Sequence, residues 1–362
     1  MTESYKIGSI EAIFLVLTIT VNHIITNLPK ALIAQTGTAT LLNIVFLTII
    51  VLGIVFLISK LLRHFPNQDI VDIAEFLGGK VLKNIIGILF IVYFFIASST
   101  FLRSFCENIK IIYFSRTPVI ILTLLFLAGI IICNRHGLHS IVRANLIILP
   151  IVLFSIVFIF FANIENFTVQ RALPLLGNGI NATFCSGISN IFAFSGLIIL
   201  YFLPPHLQDN KQFKTVAITS MILSSIWLLF SIATLLFIFP FTVTSEEIMP
   251  LYLAGRFIEF GRFFQRLDAI FLMTWIVSIT SYLSIVVAMI VNTFKKLTNF
   301  KYSYIAIYIS AIIILILSLL PQNYNQIHFL ETTIYKYMVL IMTFGVRTFN
   351  FNICKHKTQK TT

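Results

Sequence analysis

Apolar residues in this chain come in long unbroken blocks, with neither the two-residue alternation of half-buried strands nor the one-sided stripe of water-facing helices. Ten such blocks can be marked: Ile10 to Asn27, Leu41 to Leu62, Ile85 to Phe105, Val119 to Cys133, Leu146 to Phe161, Ala182 to Leu203, Val216 to Phe239, Ile270 to Val291, Ile305 to Leu320, and Ile334 to about Phe349. Most approach the roughly 17–25 residues that a helix needs to cross a bilayer. Backbone inside lipid must satisfy its own hydrogen bonds, so the pattern predicts an all-α integral membrane protein of ten transmembrane helices. Two stretches between blocks look ordered. Ile70, Ile73, Ala74 and Leu77 recur at helical spacing opposite Asp69, Asp72 and Glu75, predicting a short amphipathic helix at the membrane surface that Gly78 and Gly79 stop. In the long loop from Thr242 to Arg266, Ser245 is placed to cap a helix with Glu246 and Glu247 in its first turn, and Leu251, Ala254, Gly255 and Ile258 form its apolar stripe.

Polar residues inside two blocks change the picture. The first block carries Thr20, Asn22, His23, Thr26 and Asn27 before Leu28 and Pro29. Proline lacks an amide donor and disfavours helix at the residue before it. Either the helix is broken near Asn22–Thr26 with a short second half around Pro29–Gln35, or the span ends at His23 and a loop follows. The sixth block carries Ser186, Gly187, Ser189, Asn190 and then Ser195-Gly196 in mid-span. That pair marks either a second break or small residues that let two helices approach closely. Blocks one and six are five apart, and five is odd, so two five-helix repeats would run in opposite directions across the membrane. This is the inverted-repeat logic of LeuT-like and amino-acid-permease folds, in which broken helices expose backbone groups to a ligand near the midplane. The expected division is residues 1–162 as the first repeat, 163–181 as a linker, 182–353 as the second repeat, and 354–362 as a tail.

Composition agrees with lipid as the solvent. The 362 residues are 58% hydrophobic and 10% charged, against roughly a quarter charged in soluble domains. The net charge of +12 suggests no nucleic-acid partner, because the basic residues sit between the apolar blocks and in the tail. The larger share of the 25 Lys and Arg falls on the side of the N-terminus, which places both termini in the cytoplasm by the positive-inside rule. The first block lacks a signal-peptidase pattern after it and is read as a retained helix. Cys106, Cys133, Cys185 and Cys354 form no CxxC pair, so neither a metal nor a cofactor is implied. No phosphate-binding loop, HExxH, GxSxG or paired-carboxylate arrangement is present, which argues against an enzyme.

The candidate chemistry lies at the breaks. Asn22, His23, Thr26, Phe192, Ser195, Gly196, Thr274 and Ser278 are the expected pocket residues. Thr274, Ser278 and Ser281 share one face of the eighth helix, where they would contact either a ligand or a neighbouring helix. His23 is the single histidine within the marked blocks; it is either a titrating group in a proton path or a hydrogen-bonded packing residue. No Asp or Glu lies deep within a marked block, which weakens a proton-coupled reading. Glu259, Arg262 and Arg266 can form a stripe at the mouth of the eighth helix and, with Asp268, are expected to build a structural network there.

Several segments resemble the spore germination permease family, the B subunits of GerA/GerK-type nutrient germinant receptors within the amino acid-polyamine-organocation superfamily. They are Leu102-Arg103-Ser104-Phe105-Cys106-Glu107 leading to Arg116-Thr117-Pro118, Gly261-Arg262-Phe263-Phe264-Gln265-Arg266-Leu267-Asp268 followed by Trp275, Leu28-Pro29, Gly78-Gly79-Lys80, and Phe194-Ser195-Gly196. Their order along nearly the whole chain carries the resemblance. Members carry glycines just before the Leu-Pro, where this chain has Asn22, His23 and Ile24. The resemblance implies a multi-pass subunit of the spore inner membrane that binds a small nutrient, an amino acid above all, and acts with A and C partner subunits. An amino-acid/proton symporter is the alternative.

Overall fold

The structure, a computed structural model, describes residues 6–258 and 268–345. Among these residues every regular element is helical, and one parallel bridge joins Ile7 to Leu207. The first pass is broken into α1 (Ser9–Ile24) and α2 (Leu28–Thr36), and α3 (Thr40–Leu62) returns. Then come α4 (Ile70–Ile112), α5 (Val119–Arg135) and α6 (Leu138–Ala162). The sixth pass is a π turn at Asn181–Cys185, a 3₁₀ stretch at Ser186–Phe194, and the short α7 (Gly196–Leu200). After α8 (Phe213–Ile238), the short α9 (Phe241–Glu246) and α10 (Pro250–Arg256) lie between passes, followed by α11 (Asp268–Thr298) and α12 (Ser303–Leu319). The last pass runs from α13 (Tyr324–Phe329) through a π turn at Leu330–Tyr335, α14 (Lys336–Leu340) and a π turn at Ile341–Gly345.

Five helices, Leu28–Leu62, Ile70–Ile112, Leu138–Ala162, Asn210–Ile238 and Asp268–Thr298, are each long and apolar enough to cross a membrane. Ser303–Leu319 and Tyr324–Gly345 meet at 117°, so they fold back on each other rather than form one rod. Ser9–Ile24 and Val119–Arg135 are apolar but shorter. All ten expected blocks are therefore helical where described, and ten passes are reached only with the short and broken ones included.

The broken helix α1 sits at the centre, packed on α8, α6 and α11, while α4 packs on α11 and α12. Its residues from Leu15 to Asn22 are all buried. Large apolar side chains on the outer helices face away from the core, among them Ile49, Leu125, Ile147 and Phe154. Such positions suit lipid contact, which brings no penalty for apolar surface.

One expectation is refined and one is corrected. The amphipathic helix is interrupted at Gly78 and Gly79 as expected, but it packs into the body of the protein instead of lying on the membrane surface. Asp69 caps it by accepting the Val71 and Asp72 amides, and it continues into α4 across a kink at Gly78 and Gly79. Gly79 has φ +68°, a conformation that costs a residue with a Cβ roughly 1–2 kcal/mol. Ile70, Ile73, Ala74 and Leu77 are buried in the body of the protein. Ser245 does not cap a helix; it lies near the end of α9, and its hydroxyl donates to the Thr242 carbonyl. The apolar stripe of the same loop does dip inward, with Leu251, Ala254 and Ile258 buried.

The two faces of the bundle are tied differently. On the face holding the N-terminal strand of chain, Lys296 at the end of α11 reaches both Asp69 and Asp72 at 2.6 Å. There the Ile7 amide also donates to the His206 carbonyl and the Gln208 amide to that of Ile7. On the opposite face the Lys30 ammonium donates to the Glu246 carbonyl at 2.9 Å. Glu259, Arg262 and Arg266 lie outside the described residues.

Candidate functional site

The first break is built by side chains that turn back on their own helix. Asn22 donates to the Thr18 carbonyl at 2.8 Å, and the Thr26 hydroxyl reaches the Asn22 and His23 carbonyls, each at 3.1 Å. These bonds occupy carbonyls that the helix would otherwise use to continue. Pro29 then starts α2 with a missing amide in its first turn, where no intrahelical partner is needed. Asn27, between the two half-helices, is a hub. Its amide donates to the Ser104 hydroxyl at 2.7 Å and to the Glu331 carboxylate at 3.0 Å, and its carbonyl accepts from Asn108 at 3.1 Å.

The second break depends on α3. The Asn43 amide donates to the Thr183 carbonyl at 2.7 Å and to the Gly187 carbonyl at 3.2 Å, and Asn190 donates to the Asn43 carbonyl oxygen at 3.0 Å. A side chain from another helix thus meets backbone groups in an irregular stretch, which is what non-helical backbone at membrane depth requires. Gly187 has no room for a side chain, because a Cβ there would lie 2.5 Å from the Asn43 amide nitrogen. Gly196 opens α7 directly against α1, where a Cβ would meet the Val16 carbonyl oxygen at 3.0 Å.

Between the breaks lies a cavity of about 30 Å³, lined by His23, Thr26, Asn27, Leu28, Ala97, Thr100, Phe101, Phe192, His328, Glu331 and Tyr335, among others. This is room for about two water molecules. The His23 ring is set in an aromatic box: its centroid is 4.8 Å from Phe101, 5.5 Å from Tyr282 and 5.5 Å from the stacked Tyr335. Its Nε2 is 3.3 Å from both the Tyr282 and Tyr335 hydroxyls. On the far side of Phe192, Lys336 stands 5.5 Å over that ring and donates to Gln35 and to Asn190. Gln35 in turn donates to the Ser186 carbonyl at 2.7 Å, so α2, the 3₁₀ stretch and the last pass are clamped together.

Of the residues singled out from the sequence, His23, Thr26 and Phe192 line this cavity. Asn22 is buried behind it, and Ser195 lines a smaller void of about 10 Å³ with Tyr93, Ile198 and Tyr282. Gly196 serves helix contact. Thr274 bonds the Phe271 carbonyl, and neither it nor the buried Ser278 lines the cavity; the α11 residue that reaches His23 is Tyr282, one turn beyond Ser278. Asp268 accepts from the Tyr113 and Tyr252 hydroxyls at 2.8 and 2.7 Å. Glu331 is the residue that sequence reasoning missed, since it lies three residues before the last marked block. Asn27 stood in the polar cluster of block one, but nothing in the sequence showed its three partners. Among the described residues no group of three or more His, Cys, Asp or Glu could hold a metal ion.

A bundle whose first and sixth passes are broken around a central cavity defines a membrane protein of the transporter fold. Two solved structures share it. One is Mhp1, a nucleobase-cation-symport-1 family transporter, with a TM-score of 0.62 at 13% identity over 93% of this chain and 78% of that one. The other is MhsT in complex with L-phenylalanine, with a TM-score of 0.65 at 15% identity over 92% of this chain and 87% of that one. At such identity the likeness is one of fold. The family described as "Spore germination protein" matches residues 6–327, and the chain belongs to it. Spore germination protein A2 of Bacillus subtilis (strain 168) is 23% identical over 333 residues, covering 89% of this chain and 88% of the relative. The protein is thus a germination-related, permease-like integral membrane protein of the transport type and not an enzyme.

Proposed function

We propose that this chain is the membrane subunit of a spore nutrient-germinant receptor, binding a small nutrient, an amino acid above all, in the cavity between the broken helices. The observation that carries this reading is the meeting of the α1–α2 break, Phe192 and the last pass around one cavity. The first turn of α2 borders that space through Leu28, and first-turn amides with their positive dipole end favour a carboxylate. Signalling requires that the nutrient bind one of two conformations better than the other. In this proposal the five-helix halves, residues 1–162 and 182–353, rock against each other and pass that difference to A and C partner subunits. The protein sits in the spore inner membrane with both termini in the cytoplasm, as its basic residues suggest.

Ala97 is buried on α4 and lines the cavity. Ala97→Phe is expected to abolish the germination response to single amino acids while the protein still accumulates in spores. A normal response from spores carrying that variant overturns the reading. One observation favours the amino-acid/proton symporter instead: Glu331 places a carboxylate at the cavity, within the helical run of the last pass. Uptake of radiolabelled amino acids into proteoliposomes under a pH gradient, by this chain alone, would decide for it.

A further inference from the structure

Glu331 is held by neutral groups only. The Asn27 amide donates to it at 3.0 Å. Among the described residues no Lys, Arg or His nitrogen lies within 4.0 Å of its carboxylate. Lys30 and Lys336 make their direct contacts elsewhere. Lys30 donates to the Glu246 carbonyl and stands 5.6 Å over the Tyr324 ring, and Lys336 donates to Gln35 and Asn190. Glu331 is half-buried, and the Lys30 ammonium acts on it only from beyond ion-pair distance, so its carboxylate has no direct counter-charge. The same cavity is lined by the rings of Phe101, Phe192 and Tyr335, which suit an apolar tail beside a cation. His23 and His328 are the other titratable side chains lining it besides Tyr335.

We infer that Glu331 is the anionic anchor of the pocket and that its ligand carries a protonated amine, which sits on this carboxylate against the aromatic wall. The inference rests on the nutrient-binding reading and adds to it the charge of the ligand and the residue that selects it. Asn27 acts as the positioning residue that fixes the carboxylate, itself held by Ser104 and Asn108.

The test uses the full chain in lipid nanodiscs and reads thermal stabilisation. The probes are L-alanine, L-leucine and L-phenylalanine, each beside its N-acetyl derivative and its 2-hydroxy-acid analogue, with D-glucose as a neutral compound. The expected result is stabilisation by one or more amino acids and none by the matching N-acetyl or hydroxy compounds. Glu331→Gln, which keeps the Asn27 bond, is expected to weaken that binding at least tenfold, and Glu331→Asp to fall between. Equal stabilisation by an N-acetyl derivative, a hydroxy acid or glucose leaves the nutrient pocket standing and overturns the amine anchor. Unchanged amino-acid affinity in Glu331→Gln also overturns it. A wild-type protein that none of these probes stabilises overturns both readings. The probe pairs put the same question to the unaltered chain, so the test survives a Glu331→Gln variant that fails to accumulate.

Discussion

Asn27 shows how one amide can hold a broken helix in place. It joins α2 to Ser104 and Asn108 on α4 and to Glu331 on the last pass, so three passes meet at a single side chain. Asn27→Ala leaves those partners without their bonds in a buried setting, and each orphaned group costs about 1–3 kcal/mol. The expected outcome is a clearly lower melting temperature for the purified variant; an unchanged one would mean that water replaces the amide at no penalty. Asn27→Asp is expected to be worse still, because it sets a second carboxylate beside Glu331.

At the scale of elements, the irregular sixth pass depends on α3. Asn43→Leu keeps volume but withdraws the donor from the Thr183 and Gly187 carbonyls and the acceptor from Asn190. Its effect is expected to be local: faster amide exchange over residues 183–194 than over α8, measured by hydrogen exchange. Uniform exchange across both would show that the 3₁₀ stretch holds without Asn43. The breaks themselves were legible in the sequence, because Pro29 and the Ser195-Gly196 pair are chemically unlike their apolar surroundings. The pocket was legible only in part. His23 and Thr26 stood out as polar residues in an apolar run, whereas Phe101, Tyr282 and Tyr335 look like any aromatic in a hydrophobic block. Thr274 and Ser278 were drawn in by their shared helix face, yet depth along α11 decides contact, and the residue that reaches His23 is Tyr282, a turn further on. Glu331 was hidden by its polar neighbours Thr332 and Thr333, which made the start of the last helix read as loop.

Across the whole molecule, the fold class followed from hydropathy alone, but the charged tie on the N-terminal face did not, since it joins Lys296 to residues more than 200 positions away. The bridge from Lys296 to Asp69 and Asp72 fastens the entry of α4 to the exit of α11. Lys296→Met strands Asp69, whose side chain is only 7% exposed. Adding Asp69→Asn to that variant is expected to recover stability, because asparagine still caps α4 while carrying no charge. A double variant that melts below the single one would show that Asp69 does not depend on Lys296.

A chamber with space for two waters cannot admit even the smallest amino acid as it stands. Entry must await a spontaneous widening, and the frequency of that event, rather than encounter by diffusion, then sets the pace. Raising the concentration outside quickens the response only until every opening is used. In the proposed receptor, such a delay would let the protein disregard a fleeting trace of food and answer to a supply that lasts.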